Sequence, residues 1–168
     1  MIILGIDPGT ATTGFGVIEE VDKNKFELIN FGLISTDKKT PHGKRLDQIY
    51  EGVLAVIEKN KPDVVAIERL FFASNALTAI AVGQAIGVIK LAIHHRGLTV
   101  FDYAPMQVKL VVGGSGKADK DLIKATIKQM FKIREKKGMR THFDNSADAI
   151  AIAICHARKI AEPGIIKK

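Results

Sequence analysis

The sequence predicts an α/β layered domain with a five-stranded sheet, because segments of strand character open the chain and helices then alternate with further strands. The first third contains three such segments, and the polar turn DKNK joins the second and third into a hairpin. From Gly43 onward the apolar residues follow a helical period. These two patterns together indicate a hairpin unit that continues into alternating helices and strands.

Each element has a local signal. Strands are predicted at 2–7, 13–21, 26–36, 63–68 and 99–104. The first helix begins near Gly43 and ends before Pro62, and the second begins after an N-cap at Ser74 or Asn75 and ends before Gly97 as its C′ residue. Three more helices are predicted to begin at about Pro105, Asp119 and Asn145, with the loop GGSG between the first two of them.

Length and composition favour one domain over residues 1–168 that ends in a short flexible tail. The net charge of +7 and pI of about 9.5 favour a polyanionic partner, nucleic acid before an anionic membrane surface. The single cysteine, Cys155, excludes an internal disulfide framework and a cysteine-ligated zinc site. It lies in an apolar helical pattern, so we expect it to be buried in a protein of the reducing cytoplasm.

No signal peptide is expected, because no charged leader precedes a long apolar stretch. The most apolar segment, 76–93, is interrupted by Thr78, Gln84 and Lys90. This pattern favours a buried helix over a membrane span.

Two carboxylates end apolar strands. Asp7 alternates onto the face of Ile3 and Gly5, and Glu68 onto that of Val64 and Ala66. Open α/β sheets place their ligand crevice at the carboxyl ends of strands, and a buried carboxylate is costly unless it is paired or bound to metal. One such acid is explained by a turn cap, whereas two at equivalent strand ends predict a shared cation.

A third acid, Asp148, begins an apolar helical pattern, with Asp144 four residues and Asn145 three residues before it. If the helix begins before Asp144, the two aspartates share a face. In the simpler alternative, Asp144 or Asn145 is the N-cap and Asp148 complements the helix dipole. The stretch by itself supports both interpretations equally.

Carboxylates without histidine or cysteine partners suit Mg²⁺ or Mn²⁺, which prefer oxygen ligands. Two such ions, roughly 4 Å apart, can activate a water and stabilise the leaving oxygen of a phosphodiester. An acidic cluster in a basic protein fits this chemistry, because the basic surface binds the phosphate backbone while metal neutralises the acids.

The bases are concentrated late in the chain. Nine lie between residues 117 and 140: Lys117, Lys120, Lys124, Lys128, Lys132, Arg134, Lys136, Lys137 and Arg140. Four of them repeat every four residues from Lys120, which is also the pattern of a solvated helix face. Because the stripe follows the GGSGK loop, phosphate contact is the preferred interpretation.

Two aromatic residues, Phe71 and Phe72, follow Glu68 in a strand-to-helix connection. We expect one of them in the core, and the other, if exposed, can stack on an unpaired base. The sequence does not determine which of the two is exposed.

Four ordered motifs resemble the RuvC family of Holliday-junction resolvases, within the RNase H-like nuclease superfamily. They are GIDPGTATTGFGVI, AIERLFFASNALTAIAVGQAIGVI, YAPMQVKLVVGGSGKADK and SADAIAIAICHA. The resemblance implies an RNase H-like fold, with a mixed five-stranded sheet and helices on both faces. It also implies a magnesium-dependent homodimer, with two ions per site that Mn²⁺ can replace, which cuts two opposed strands of a four-way DNA junction symmetrically. Its implied partner is a RuvAB-like branch-migration complex.

Carried over to this sequence, Asp7, Glu68 and Asp148 match metal-binding catalytic acids of the family. The candidate DNA contacts are Phe71, Asn75, Lys109, Lys117, Lys120 and Lys124, of which Phe71 matches the aromatic that stacks at the opened junction. The family's fourth site residue, an aspartate or histidine, normally precedes the last aspartate by three positions, where this chain has Asn145. We favour Asp144 as the fourth ligand, with Asn145 as the alternative, because a neutral ligand binds metal more weakly.

Three other classes of protein share parts of this pattern. An actin-like ATPase or phosphotransferase begins with a similar Asp-x-Gly turn but needs a second comparable domain. A DNA-binding scaffold without catalysis would not need Asp7, Glu68 and Asp148. A related nuclease acting on RNA is distinguished from a junction resolvase only by the resemblance, through its exposed aromatic residue and its loop.

Overall fold

The computed structural model describes residues 1–69, 76–133 and 143–161. The five strands are β1 (Ile2–Asp7), β2 (Thr12–Asp22), β3 (Lys25–Ser35), β4 (Val64–Glu68) and β5 (Thr99–Tyr103). The helices of this part of the chain are α1 (His42–Asn60), α2 (Ala76–His95), α3 (Pro105–Gly113), α4 (Lys120–Phe131) and α5 (Phe143–Ile160).

The strands form one mixed sheet in the order β3-β2-β1-β4-β5. The first three strands pair antiparallel, and β4 and β5 continue the sheet parallel to β1. In the parallel pair Ile6 lies opposite Ile67, so the next residues along these strands, Asp7 and Glu68, emerge side by side at the same edge. The predicted fold class, with a three-strand hairpin unit and parallel strands, is confirmed.

Helices cover both faces of the sheet, because the central strands β1 and β4 are apolar on both sides. On one face, Leu4 and Ile6 pack with buried residues of α1 and α2. On the other face, Ile3 and Ala66 pack with α3, α4 and α5. Asp7 and Glu68 continue the alternation of this second face, so both point toward the α5 layer.

Helix α5 lies unusually close to the sheet. A Cβ added to Gly5 would stand 2.0 Å from the carbonyl oxygen of Ala149, and one added to Gly16 would stand 2.9 Å from the Cα of Ile150. Only glycine leaves room for the helix backbone at these two points. This contact fixes the height of α5 above β1 and therefore the position of the acid that α5 carries.

Most predicted boundaries agree with the structure to within one or two residues. Gly97 has φ +68° directly after α2, as a C′ residue requires, and the carboxylate of Asp119 caps α4 by accepting a hydrogen bond from the backbone N–H of Leu122 at 2.8 Å. Cys155 is fully buried as predicted. The predicted start of α5 at about Asn145 is too late, because the helix begins at Phe143. Asp144 and Asn145 therefore lie inside the helix rather than capping it.

The expectation of a buried second helix is only half right. One side of α2 packs on the sheet through Ala85, Ile89 and Ala92, whereas Ile80 and Leu91 on the other side are exposed. The window Thr78–His95 has a mean hydropathy of 1.2 and is long enough to cross a membrane, and 28% of it is buried. By length and composition alone this is weak support for a membrane span. The side of the helix that carries Ile80 and Leu91 is nevertheless left uncovered by the described part of the chain.

The close approach of α5 gives a stability test. We expect Gly5→Ala to lower the free energy of unfolding by about 3 kcal/mol or more, because the new methyl group meets helix backbone that cannot move aside. The matched control is Gly43→Ala in α1, where an added Cβ meets nothing within 4 Å. That substitution should be neutral or stabilise the protein by up to about 1 kcal/mol. Urea unfolding measures both, and equal values would contradict the proposed contact.

Candidate active site

A cleft of about 240 Å³ opens at the sheet edge where β1 and β4 end. Its acids come from three different elements, namely Asp7 from β1, Glu68 from β4 and Asp148 from α5. The remaining lining residues are Pro105, Val108, Lys109, Lys120, Ile123 and Ala151. The three acids predicted from sequence thus meet in one cleft with two lysines.

The turn after Asp7 is held by hydrogen bonds on both sides. The buried Thr13 hydroxyl donates to the carbonyl oxygen of Gly9 at 2.8 Å. From α1, the guanidinium of Arg45 donates to the carbonyl oxygen of Thr10 at 2.6 Å and to the Thr36 hydroxyl at 2.8 Å. The chain therefore leaves the sheet in a fixed direction directly after the carboxylate.

Glu68 is supported from the neighbouring strand. Tyr103 lies opposite it in the parallel pair β4–β5, and the Tyr103 hydroxyl lies 2.8 Å from Nδ1 of the buried His156 on α5. Burial lowers the pKa of His156 to about 4, so the ring is neutral at physiological pH. This pair ties β5 to α5 without adding a charge near Glu68.

Asp148 lies about one helical turn into α5, two residues after Ser146, which holds the helix on the sheet. The Ser146 hydroxyl is buried and donates to the carbonyl oxygen of Gly32 on β3 at 3.0 Å. At the cleft, Asp148 Oδ2 accepts a hydrogen bond from Lys120 Nζ at 2.8 Å. Lys120 is the first residue of α4, so this ion pair joins α4 to α5 at the mouth of the cleft.

The carboxylates of Asp7, Glu68 and Asp148 repel one another in the cleft, where they are partly shielded from water. Burial raises the pKa of Asp7 to about 6, and the charge of Asp148 adds to the rise while Lys120 opposes it. Burial likewise raises the pKa of Glu68 to about 7, with the charges of Asp7 and Asp148 adding to it and those of Lys120 and Lys109 opposing it. The cleft therefore favours an added positive charge.

The donor set fits a hard divalent cation, because Asp7, Glu68 and Asp148 offer only carboxylate oxygen and the described residues that line the cleft include no Cys or His. Within the described ranges, no three Asp, Glu, His or Cys side chains stand close enough to enclose an ion as they are arranged. One of the three acids, Asp148, is engaged by Lys120 instead.

The predicted DNA contacts divide into two groups. Lys109 and Lys120 line the cleft, whereas Lys117 and Lys124 do not. The predicted stripe on α4 is also not a uniform face, because Lys128 Nζ lies 5.6 Å from the ring centroid of Phe143 and Lys132 is the C-cap. Phe71, Phe72, Asn75, the bases at 134–140 and the side chains of Asp144 and Asn145 lie outside the described residues.

Sequence reasoning missed three features of this site. The ion pair between Lys120 and Asp148 joins residues 28 positions apart, and no local pattern encodes it. The close packing of α5 had a signal, since Gly5 and Gly16 each interrupt an apolar strand. The pairing of Tyr103 with His156 had no sequence signal that we can identify.

A mixed sheet that delivers carboxylates from two adjacent strand ends, with another from a helix packed across them, is the framework of RNase H-like nucleases, which depend on divalent metal. The chain belongs to one family of this class, since residues 3–156 match the family model of the crossover junction endodeoxyribonuclease RuvC.

Relatives and solved structures agree with this family. The chain is 44% identical over 158 residues to the RuvC crossover junction endodeoxyribonuclease of Desulforamulus reducens, covering 94% of each protein. Its structure is similar to that of Thermus thermophilus RuvC in complex with a Holliday junction substrate, with a TM-score of 0.85, 32% identity and coverage of 95% of this chain and 94% of that one. The yeast mitochondrial Holliday junction resolvase Ydc2 shares the fold, with a TM-score of 0.68 and 16% identity over 95% of this chain and 80% of that one.

The raised pKa values predict how the metal-free protein responds to pH. Since folding raises the pKa of Asp7 from 3.8 to about 6, ionising it opposes folding, and stability present below pH 4 is lost as the pH rises through 6. At pH 8 in EDTA, the free energy of unfolding of Asp7→Asn should therefore exceed that of the wild-type protein by about 2–3 kcal/mol.

The same comparison at pH 4.5 should give a much smaller difference, since most of the Asp7 carboxyl is then protonated in the folded state. Urea unfolding at the two pH values measures the effect, and Asp47→Asn, at an exposed aspartate of α1, controls for loss of a carboxylate. Destabilisation by Asp7→Asn at pH 8 would contradict the electrostatic account of the cleft.

Proposed function

We propose that this protein is a structure-selective endonuclease that resolves four-way DNA junctions during recombination and repair. It hydrolyses one phosphodiester in each of two opposed strands and leaves symmetric paired nicks. The observation that carries the proposal is the cleft, in which three carboxylates from β1, β4 and α5 are flanked by two lysines in a RuvC framework. The solved complex of the Thermus relative with a Holliday junction supports the same substrate.

Asp7, Glu68 and Asp148 are the proposed catalytic acids and metal ligands, completed by Asp144 or, as the alternative, Asn145. The proposed cofactor is Mg²⁺, with two ions per site and Mn²⁺ as a substitute. When bound there, divalent metal activates the attacking water and stabilises the leaving oxygen. The carboxylates position it, and because Asp7 and Glu68 are partly desolvated, protons compete for them up to near neutral pH.

The lysines of the cleft bind the DNA backbone. Lys109 on α3 and Lys120 on α4 bring positive charge to the side of the cleft that faces the acids, where the scissile phosphate must enter. Lys117, Lys124 and Asn75 are proposed to contact the DNA farther from the cleaved bond. Phe71 is proposed to stack on a base at the opened junction centre.

The exposed side of α2 supports a homodimer. Ile80 and Leu91 are 59% and 47% exposed, and an added Cβ on Gly87 between them meets nothing within 4 Å. A second copy of this apolar helix, with small residues that allow close approach, would cover the face. A dimer places two cleavage sites around one junction, as symmetric nicking requires.

A RuvAB-like branch-migration complex is the proposed partner that delivers junctions, and the proposed setting is the cytoplasm. One nuclease domain over residues 1–168 is the proposed unit of each protomer. A second copy on α2 accounts for the apolar face of that helix without a membrane.

Cleavage assays test the function. The protein with Mg²⁺ should nick a mobile four-way junction in symmetric pairs and leave linear duplex and RNA–DNA hybrid intact. Asp7→Asn should reduce the cleavage rate by about a thousandfold or more while junction affinity changes less than about threefold, because a metal ligand is lost and the backbone contacts remain. Equal cutting of plain duplex, or unreduced cleavage by Asp7→Asn, would refute the proposal.

The same assay decides the fourth ligand. Asp144→Asn should lower the cleavage rate about a hundredfold or more, and Asn145→Ala should lower it less than about tenfold, since a carboxylate contributes charge that an amide lacks. If only Asn145→Ala impairs cleavage, the amide is the ligand and our preference for Asp144 is wrong.

The dimer has its own test. The double variant Ile80→Glu, Leu91→Glu should raise the dissociation constant of the dimer by about a hundredfold or more, because two charges would be buried on each copy. Ile29→Glu, at a comparably exposed apolar residue on β3, is the control and should leave association unchanged. Analytical ultracentrifugation gives both constants, and an unaltered dimer in the double variant would exclude α2 as the interface.

A further inference from the structure

Lys120 occupies a central electrostatic position among the acids. Its ammonium group lies 2.8 Å from Asp148 Oδ2, and its charge opposes the rise in pKa of both Asp7 and Glu68. In turn, the hydrogen bond and charge of Asp148, followed by the charges of Asp7 and Glu68, raise the pKa of Lys120 itself. The ammonium therefore compensates the negative charge of the cleft that a metal would otherwise compensate.

The ion pair is weakly held on the lysine side. The Lys120 side chain is 73% exposed, against 27% for Asp148, and exposed pairs of this kind contribute little to stability. The backbone of Lys120 is fixed, because the carboxylate of the preceding residue, Asp119, caps α4. The side chain can thus leave Asp148 while α4 stays in place.

The other lysine of the cleft differs in this respect. Lys109 lowers the pKa of Glu68, yet within the described ranges it forms no ion pair, whereas Lys120 is paired with Asp148. Both lysines line the same cleft on neighbouring helices. They therefore form a natural pair for comparison, with equal charge and unequal engagement of the acids.

We propose that Lys120 is a displaceable counter-ion, which holds Asp148 in the metal-free protein and yields that carboxylate when divalent metal binds. The ammonium group released in this way then turns to the phosphate of the bound DNA strand. The proposal rests on the proposed function of the cleft as a metal site. It adds a positioning role for Lys120 that a plain phosphate-binding lysine would not have.

Competition for one carboxylate links the two ligands of the enzyme. Metal must break the pair with Lys120 to use Asp148, so part of its binding free energy is spent on release. DNA that engages the released ammonium favours the metal-bound state, and by linkage metal favours DNA to the same extent. Asp148 is therefore free to bind metal, and Lys120 to bind phosphate, mainly when metal and DNA are both present.

Metal titration of the whole protein by calorimetry, without DNA, tests the competition. Lys120→Met should bind Mn²⁺ about tenfold more tightly than wild type, because the competing cation is gone. Lys120→Arg should bind it no more tightly than wild type, since a guanidinium keeps the charge and pairs well with a carboxylate. Lys109→Met is the matched control for loss of one charge and should change the affinity less than about threefold.

NMR observes the Lys120 side chain directly and so separates its release from a general effect of charge. The Cε and Nζ resonances of Lys120 are assigned by their loss in Lys120→Met. During a titration with Mg²⁺ they should shift with the same midpoint as Mg²⁺ binding. Lys120 resonances that stay unchanged at metal saturation, or equal affinity changes in Lys120→Met and Lys109→Met, would overturn the displaceable counter-ion and leave the proposed function standing. A wild-type protein that binds neither metal would overturn the proposed function as well.

Discussion

The structure depends on the contact between the backbone of α5 and the backbone of β1 and β2. Glycine at residues 5 and 16 lets the helix settle where a side chain would collide with Ala149 or Ile150. With α5 at this height, Asp148 reaches the sheet edge where Asp7 ends β1. Since the remaining acid, Glu68, follows from the parallel pairing of β4 with β1, the cleft is set by one helix-to-sheet distance and one strand register.

That geometry places a cost on the folded protein. Burial and mutual repulsion raise the pKa of Asp7 to about 6 and that of Glu68 to about 7, so both oppose folding when they are ionised. The apolar layers on the two faces of the sheet offset this cost, and neutral polar pairs such as Tyr103 with His156 add no further charge. A site under electrostatic strain of this kind is stabilised by whatever cation enters it, so the metal binding proposed for the cleft would raise the stability of the folded protein.

Much of the fold and half of the site can be predicted from sequence for a simple reason. Asp7 and Glu68 end apolar strands, and strand alternation and parallel pairing are local rules that bring them together. Asp148 needed the resemblance, because its stretch fits a capped helix equally well and α5 begins two residues earlier than its pattern indicates. Which side of α2 is exposed could not be predicted, since the few polar residues of this largely apolar helix give no periodic signal to distinguish the sheet side from a face left for a partner.

The excess of bases in this protein is not all available to DNA, because several lysines already contact other side chains. Lys90 pairs with Asp102, Lys128 lies over the ring of Phe143, and Lys120 faces Asp148. A count of lysines along α4 predicts a continuous phosphate-binding stripe, whereas the folded helix turns its first lysine toward the acids and another toward an aromatic ring. What distinguishes the lysines is therefore the partner that each must leave in order to meet a phosphate. Lys120 is the informative case, since its partner Asp148 is also a proposed metal ligand. In that proposal, the binding of phosphate by Lys120 and the binding of metal by Asp148 depend on each other.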